Sequence, residues 1–344
     1  MTTSAAAPAE LFERYRDDVD AALRAVFDGL DTPLATMARY QLGWVDADGN
    51  PVQANRGKAL RPTLCLLTCE ALGGDVEAAL PAAAGVELLH NFSLVHDDVM
   101  DNDRLRRHRP TVWAVWGQAK AIDAGDFMHV LATLSVLRAG TPHDARAARD
   151  AVEVLTLGCR RMTEGQYLDM AYEDEDSVSV DDYLRMIDLK TAALIGTAME
   201  LGAVFAGNDP AVRAAVRDAG TALGAAFQIR DDFLGIWGDP DATGKSVESD
   251  IQKRKKTLPI VHAMTEGAPA DRDRLRTSLA DLEVPPDTAE IVALLERSGS
   301  RAYAESLAEE YHAVTRDLLS DVPLNAWGGE ALGALAAFTA RRTV

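Results

Sequence analysis

Residues 77–101 read EAALPAAAGVELLHNFSLVHDDVMD. The stretch is rich in Ala and Leu and carries no strand-type alternation, so it reads as a strongly apolar helix. It ends in Asp97, Asp98 and Asp101. Asp97 and Asp101 are four apart and share one helix face, with Asp98 beside them. Three carboxylates closing an apolar helix repel one another and lose solvation unless something cationic meets them. A hard divalent cation with oxygen ligands answers that need.

A second stretch repeats the pattern. Residues 227–235 read FQIRDDFLG, and adjacent aspartates, Asp231 and Asp232, again follow an apolar helix. Either cluster alone matches an ordinary solvated helix end. Two of them can clamp a metal-diphosphate from opposite walls.

Around these stretches the chain keeps helix-period patterning. Helices are predicted over 7–27, 32–42, 60–71, 77–101, 113–137, 146–172, 183–205, 211–237, 258–264, 271–282, 288–319 and 325–342. Asp181 is the predicted cap of the helix beginning at 183. Residues 46–57, 102–110 and 238–256 read as loops. The sequence therefore predicts an all-α bundle in a single domain over 1–344, with residues 1–8 as a disordered lead.

Composition narrows the function. Of 344 residues 47% are hydrophobic and 26% charged, and the net charge is -19. So acidic a chain is not suited to nucleic acid, which needs a basic surface to neutralise phosphates. Cys65, Cys69 and Cys159 form no disulfide framework, and buried thiols in a reducing cytoplasm are expected. The N-terminal residues lack the pattern of a signal peptide. The apolar runs look too short or too interrupted for a bilayer, so no membrane span is expected.

Cations that could meet a diphosphate gather beside loops. Lys58 and Arg61 lie one turn apart, and Arg106 and Arg107 follow the first acidic cluster. Lys190 and Thr191 interrupt an apolar helix, while Lys245, Lys255 and Lys256 come after the second cluster. Each group alone has an ordinary reading as a solvated loop, a helix turn or a snorkelling side chain. His90, seven residues before Asp97, would alone read as a core histidine.

Taken in order, these motifs resemble the trans-isoprenyl diphosphate synthases. The resemblance runs from Gly57 to Ala263 and includes Gly125-Asp126, 165–169 and Phe227-Gln228. It implies the isoprenoid-synthase helical bundle around a central cavity, a homodimer, and three Mg²⁺ ions per site. Asp97, Asp98 and Asp101 would hold two of the ions and Asp231 the third. Arg106, Lys190, Lys245 and Lys255 would contact the allylic diphosphate, and Lys58, Arg61, His90 and Arg107 would bind isopentenyl diphosphate. Thr191 and Gln228 would line the reacting centre. Three positions depart from the family: Ala59 where Arg is frequent, Gly235 where a third Asp is usual, and Arg254 where Gly is usual.

The implied reaction adds isopentenyl diphosphate head-to-tail to an allylic diphosphate. Phe92 and Ser93, just upstream of Asp97, would set chain length. One aromatic there implies geranylgeranyl diphosphate, with farnesyl diphosphate next. Two alternatives stand beside this. A class I terpene cyclase would have no use for an isopentenyl site, and a noncatalytic subunit of a heteromeric synthase would be expected to lose acidic ligands.

Overall fold

The computed structural model describes residues 7–54, 57–139, 145–173, 175, 177–207, 209–238, 249–280 and 285–341. Helices dominate: α1 (Pro8–Arg14), α2 (Arg16–Val26), α3 (Pro33–Gln41), α4 (Leu60–Ala71), α5 (Val76–Met100), α6 (Val112–Trp116), α7 (Gln118–Leu137), α8 (Ala145–Glu173), α9 (Val180–Ile187), α10 (Ala193–Phe205) and α11 (Pro210–Trp237). They continue with α12 (Ser249–Gln252), α13 (Leu258–Glu266), α14 (Pro269–Ala280), α15 (Thr288–Arg297), α16 (Ser300–Ser320) and α17 (Ala326–Arg341). A π-helical segment, Asp188–Ala192, joins α9 to α10.

The all-α expectation holds, with local corrections. The helix predicted over 7–27 is broken at Tyr15, whose φ of -111° and ψ of 1° leave the helical region. Gly117 separates α6 from α7, and Ser298 with Gly299 separates α15 from α16. The cap of α9 is Ser179, whose hydroxyl accepts from the Asp182 amide, and not Asp181. The loop predicted over 102–110 contains a two-stranded hairpin, β1 (Leu105–Arg106) and β2 (Arg109–Pro110).

The chain divides into two compact units. The first comprises Met1–Cys159, Thr197–Ala214 and Pro323–Leu332. Its core includes Leu64, Leu66 and Leu67 of α4, Leu88 and Leu89 of α5, and Met128 of α7. α5 and α7 approach closely: a Cβ on Gly125 would lie 2.3 Å from the His96 ring. α5 is long and apolar enough to cross a bilayer by length and composition, which corrects the expectation from sequence. Yet 61% of that apolar window is buried inside the protein. α5 is a core helix whose end is acidic.

The second unit comprises Arg160–Gly196, Ala215–Val322 and Gly333–Val344. One cluster packs Tyr183, Met186 and Ile187 against Ile229, Phe233, Leu258 and Val261. Another joins Ile236 and Ile251 to Ile260, Leu275, Ile291 and Leu295. These two clusters hold α9, α11, α12 and α13 around the second acidic motif.

Candidate active site

In the first unit the site is built on the end of α5. Asp97 and Asp98 close the helix and Asp101 is its C-cap. The carbonyl end of a helix already carries negative potential, so carboxylates there are penalised twice. Part of the compensation is visible. Arg106 Nε donates to Asp98 Oδ1 at 2.7 Å. Asp98 is 1% exposed, and its Oδ2 is buried with no hydrogen-bond partner. Burial pushes this carboxyl up to about 6, against the pull of Arg106 and with the help of Asp103 and Asp97.

Arg106 and Arg107 are aimed by the hairpin. Leu105 pairs with Pro110 and Arg106 with Arg109, leaving Arg107 and His108 as a two-residue loop. Both have positive φ, 51° and 64°. This is the loop geometry that Asn-Gly usually supplies, so two full side chains occupy it at a conformational cost. The Arg107 guanidinium lies against Gly57, where a Cβ would stand 2.8 Å from Nη2.

Lys58 and Arg107 line a cavity of about 440 Å³ with Gly57, Glu87, Asn91 and Trp44. Glu87 and Asn91 were not singled out from sequence. The available signal was a charged residue inside an apolar helix. Asn91 Nδ2 donates to Glu87 Oε1 at 3.1 Å. Burial raises the Glu87 carboxyl, and Arg61 and Arg107 oppose that shift. Burial brings the Arg61 guanidinium down to about 10, with Glu87 opposing. Burial, then the nearby Arg61, Arg107 and Arg106, hold His90 well below the usual histidine range, so its imidazole is neutral.

Phe92 packs toward α7. Its ring stacks on His129 with centroids 5.1 Å apart and meets His96 edge-on at 4.8 Å. It shares a stripe with His96, four residues on. Ser93 shares the stripe of Asp97, and its hydroxyl donates to the His90 carbonyl at 2.8 Å.

In the second unit the site surrounds the π-helical segment. A π turn inserts an extra residue into the helical ladder and re-aims the side chains beyond it, and such turns concentrate at functional sites. Here it carries Lys190 and Thr191. A Cβ on Gly165 would lie 2.1 Å from the Lys190 backbone nitrogen, so α8 can approach only because 165 has no side chain. Lys190 pairs with Asp169. Thr191 Oγ1 donates to Gln228 Oε1 at 2.9 Å, and Gln228 Nε2 donates to Asp232 Oδ1 at 2.9 Å. Asp232 also accepts from the Tyr183 hydroxyl, and from the Leu258 amide at 3.0 Å. Burial pushes the Asp232 carboxyl up to about 7 despite these donors.

Lys190, Thr191, Gln228, Asp231 and Lys255 all line one pocket of about 180 Å³. Five residues selected from sequence therefore converge. Lys245 lies outside the described residues. Lys256 also lines the pocket, but its ammonium donates to the Tyr172, Glu173 and Glu175 carbonyls at the end of α8. Arg254, which stands before the lysine pair where the family usually has Gly, has φ of 53°. That is the left-handed region glycine prefers, which explains why glycine is usual there.

The donors at both acidic ends are hard oxygens, and Asp98 Oδ2 is an unpartnered buried carboxylate oxygen. Among the described residues no group of three His, Cys, Asp or Glu converges as a ready metal cage. That pattern fits Mg²⁺, which keeps several waters and is held by one or two carboxylates plus substrate phosphates.

An all-helical fold with Asp-rich helix ends, each accompanied by cations, defines a diphosphate-handling enzyme of the isoprenoid class. Residues 44–296 match the polyprenyl synthetase family model, and the chain belongs to that family. It is 43% identical over 306 residues to a (2E,6E)-farnesyl diphosphate synthase of Mycobacterium bovis, covering 87% of this chain and 84% of that protein. It is equally 43% identical to a geranylgeranyl diphosphate synthase of Mycobacterium tuberculosis, covering 87% and 85%. The crystal structure of a polyprenyl synthetase from Streptomyces coelicolor A3(2) superposes with a TM-score of 0.91 at 40% identity, over 96% of this chain and 99% of that one. A polyprenyl synthase from Caulobacter crescentus, solved with calcium and isoprenyl diphosphate, gives a TM-score of 0.80 at 30% identity, over 99% and 100%.

Proposed function

We propose that the chain is a trans-prenyltransferase that adds isopentenyl diphosphate to an allylic diphosphate with Mg²⁺, and that its main product is geranylgeranyl diphosphate, farnesyl diphosphate being the next candidate. The observation that carries this is the second-unit pocket, where Lys190, Thr191, Gln228, Asp231 and Lys255 meet. A cyclase, too, could use such a pocket, but it would have no need of the Arg61, His90 and Arg107 group beside Lys58. Relatives of equal identity are named for farnesyl and for geranylgeranyl products, so the product rests on Phe92 as the one aromatic of the pair Phe92-Ser93.

The residues divide the work. Asp97, Asp98, Asp101 and Asp231 hold the cations, three per active site. A bound Mg²⁺ supplies Lewis-acid stabilisation of charge on the leaving oxygen, on the order of several kcal/mol. Arg106, Lys190 and Lys255 neutralise the allylic diphosphate, each as a fork or point charge. Lys58, Arg61 and Arg107 hold the isopentenyl diphosphate, and neutral His90 offers it a hydrogen bond without adding charge. Thr191 and Gln228 fix each other's orientation beside the reacting carbon. The proton lost after coupling passes to the departing diphosphate, since Asp98, Asp169 and Asp232 are engaged with Arg106, with Lys190 and with Tyr183 and Gln228. Apolar helix walls exclude water from the allylic cation.

The chain acts as a homodimer. α7 presents Ile122, Val130, Leu134 and Leu137 to solvent, with exposures of 44%, 55%, 37% and 55%. A helix apolar on its outer face marks an interaction surface. Three buried cysteines outside any disulfide suit a reducing cytoplasm.

The test is incubation of the purified chain with isopentenyl diphosphate and dimethylallyl, geranyl or farnesyl diphosphate, with and without Mg²⁺. A cation-dependent prenyl diphosphate of twenty carbons is expected. A hydrocarbon would instead identify a cyclase, and no product from the chain alone would identify a noncatalytic subunit.

A further inference from the structure

Tyr183 of α9 lines the second-unit pocket. It is 3% exposed, and its hydroxyl donates to Asp232 Oδ2. The Leu258 amide, in the first turn of α13, donates to the same oxygen at 3.0 Å. Two donors from different helices thus pin one edge of the carboxylate. The other edge, Oδ1, accepts from Gln228 Nε2 at 2.9 Å. Gln228 therefore turns its amide nitrogen toward Asp232 and its Oε1 toward Thr191.

This order fixes what Thr191 can offer. A threonine hydroxyl has one hydrogen and two lone pairs. The hydrogen goes to Gln228 Oε1 at 2.9 Å. What remains for the pocket is an acceptor, an oxygen that attracts positive charge. A Gln228 amide turned the other way would donate to Thr191 and free the hydroxyl hydrogen to face the pocket, where it would repel a cation. The polarity of the relay is set at the end that Tyr183 occupies.

We infer that Tyr183 is a positioning residue: through Asp232 and Gln228 it orients the Thr191 hydroxyl so that its lone pairs face the positive charge developing on the allylic carbon. The inference rests on the reading of this pocket given under Proposed function. It gives Asp232 a part separate from cation binding. Dipoles fixed beforehand and aimed at developing charge stabilise a transition state without reorganising during the reaction. Tyr183 acts only through the relay, so its loss falls on the rate and not on the binding of either diphosphate.

The test is a double-mutant cycle on the full chain with Mg²⁺, isopentenyl diphosphate and geranyl diphosphate. Tyr183→Phe deletes only the hydroxyl and is expected to lower kcat by about 10-fold with the KM of each substrate unchanged. Thr191→Val should lower kcat at least as much. In the double variant the Tyr183→Phe effect should vanish, because no hydroxyl is left to orient. Losses that multiply in the double variant would overturn the inference. A low kcat in Thr191→Val beside a wild-type kcat in Tyr183→Phe would overturn the role of Tyr183 and leave the pocket reading standing. A wild-type kcat in both would overturn both. A second readout needs no turnover: calorimetric binding of dimethylallylammonium in the presence of inorganic pyrophosphate and Mg²⁺. The ammonium places a positive charge at the allylic position. Tyr183→Phe should weaken its binding by about 10-fold and leave the binding of pyrophosphate alone as in wild type. Equal loss of both would mark Tyr183 as structural only and overturn the inference.

Discussion

Arg106 Nε donates to Asp98 Oδ1 at 2.7 Å, while Asp98 Oδ2 is buried without a partner. One guanidinium thus satisfies half of a carboxylate that burial has made reluctant to ionise.

The consequence is a pH dependence of stability in the cation-free protein. Asp98 titrates near 6 when folded, against 3.8 as its ordinary value. The folded chain therefore binds this proton more tightly than the unfolded chain does. The contribution is complete below pH 3.8 and is lost as pH rises through about 6. The shift corresponds to roughly 3 kcal/mol. Melting temperatures of wild type and Asp98→Asn, measured without cation from pH 4 to pH 8, should diverge over that window. Parallel curves would refute the assignment.

Phe92 stacks on His129 and meets His96 edge-on. Replacing it by Ala removes both ring contacts and opens space beside α7. Phe92→Ala should lose about 3 kcal/mol of stability and shift products to longer chains, read by chain-length analysis of the prenyl alcohols. A destabilised variant with the wild-type product profile would remove Phe92 as the determinant of length.

Gly165 and Gly329 should respond in opposite ways to the same methyl group. At 165 a Cβ meets the Lys190 backbone at 2.1 Å, whereas at 329 nothing lies within 4 Å. Gly165→Ala must push the π-helical segment away and should cost about 1–3 kcal/mol, with a fall in kcat because Lys190 and Thr191 move. Gly329→Ala, inside α17, should stabilise by about 0.5–1 kcal/mol and leave kcat unchanged. Thermal melts and steady-state rates of the two variants check this.

Ala59 caps α4 with φ of 49° and ψ of 45°. A left-handed alanine costs about 1 kcal/mol that glycine avoids. Ala59→Gly should therefore raise the melting temperature by a few degrees. A lower melting temperature would show that the loop at 57–59 needs stiffness more than it needs relief.

Much of the fold and site was legible in the sequence for definite reasons. α4 begins and ends where the apolar period does, and both acidic motifs stand where such a period stops. The order and spacing of motifs brought Lys190, Thr191, Gln228, Asp231 and Lys255 to notice, and they share one pocket. The breaks at Tyr15, Gly117 and Gly299 escaped, because a period of 3.6 continues across one irregular residue. The hairpin escaped because Arg107-His108 carries none of the usual turn chemistry. The π turn escaped because its close contact with α8 at Gly165 exists only in three dimensions.

Lys256 reaches back to the last carbonyls of α8, a helix of 29 residues. Such a helix end behaves like roughly half a negative charge, and here it borders the pocket that Lys190 and Lys255 line. By cancelling that end, Lys256 makes the pocket less repulsive to anions. An incoming pyrophosphate thus profits from an ammonium it need never touch, and losing that charge would slow its capture even with every contacting residue in place.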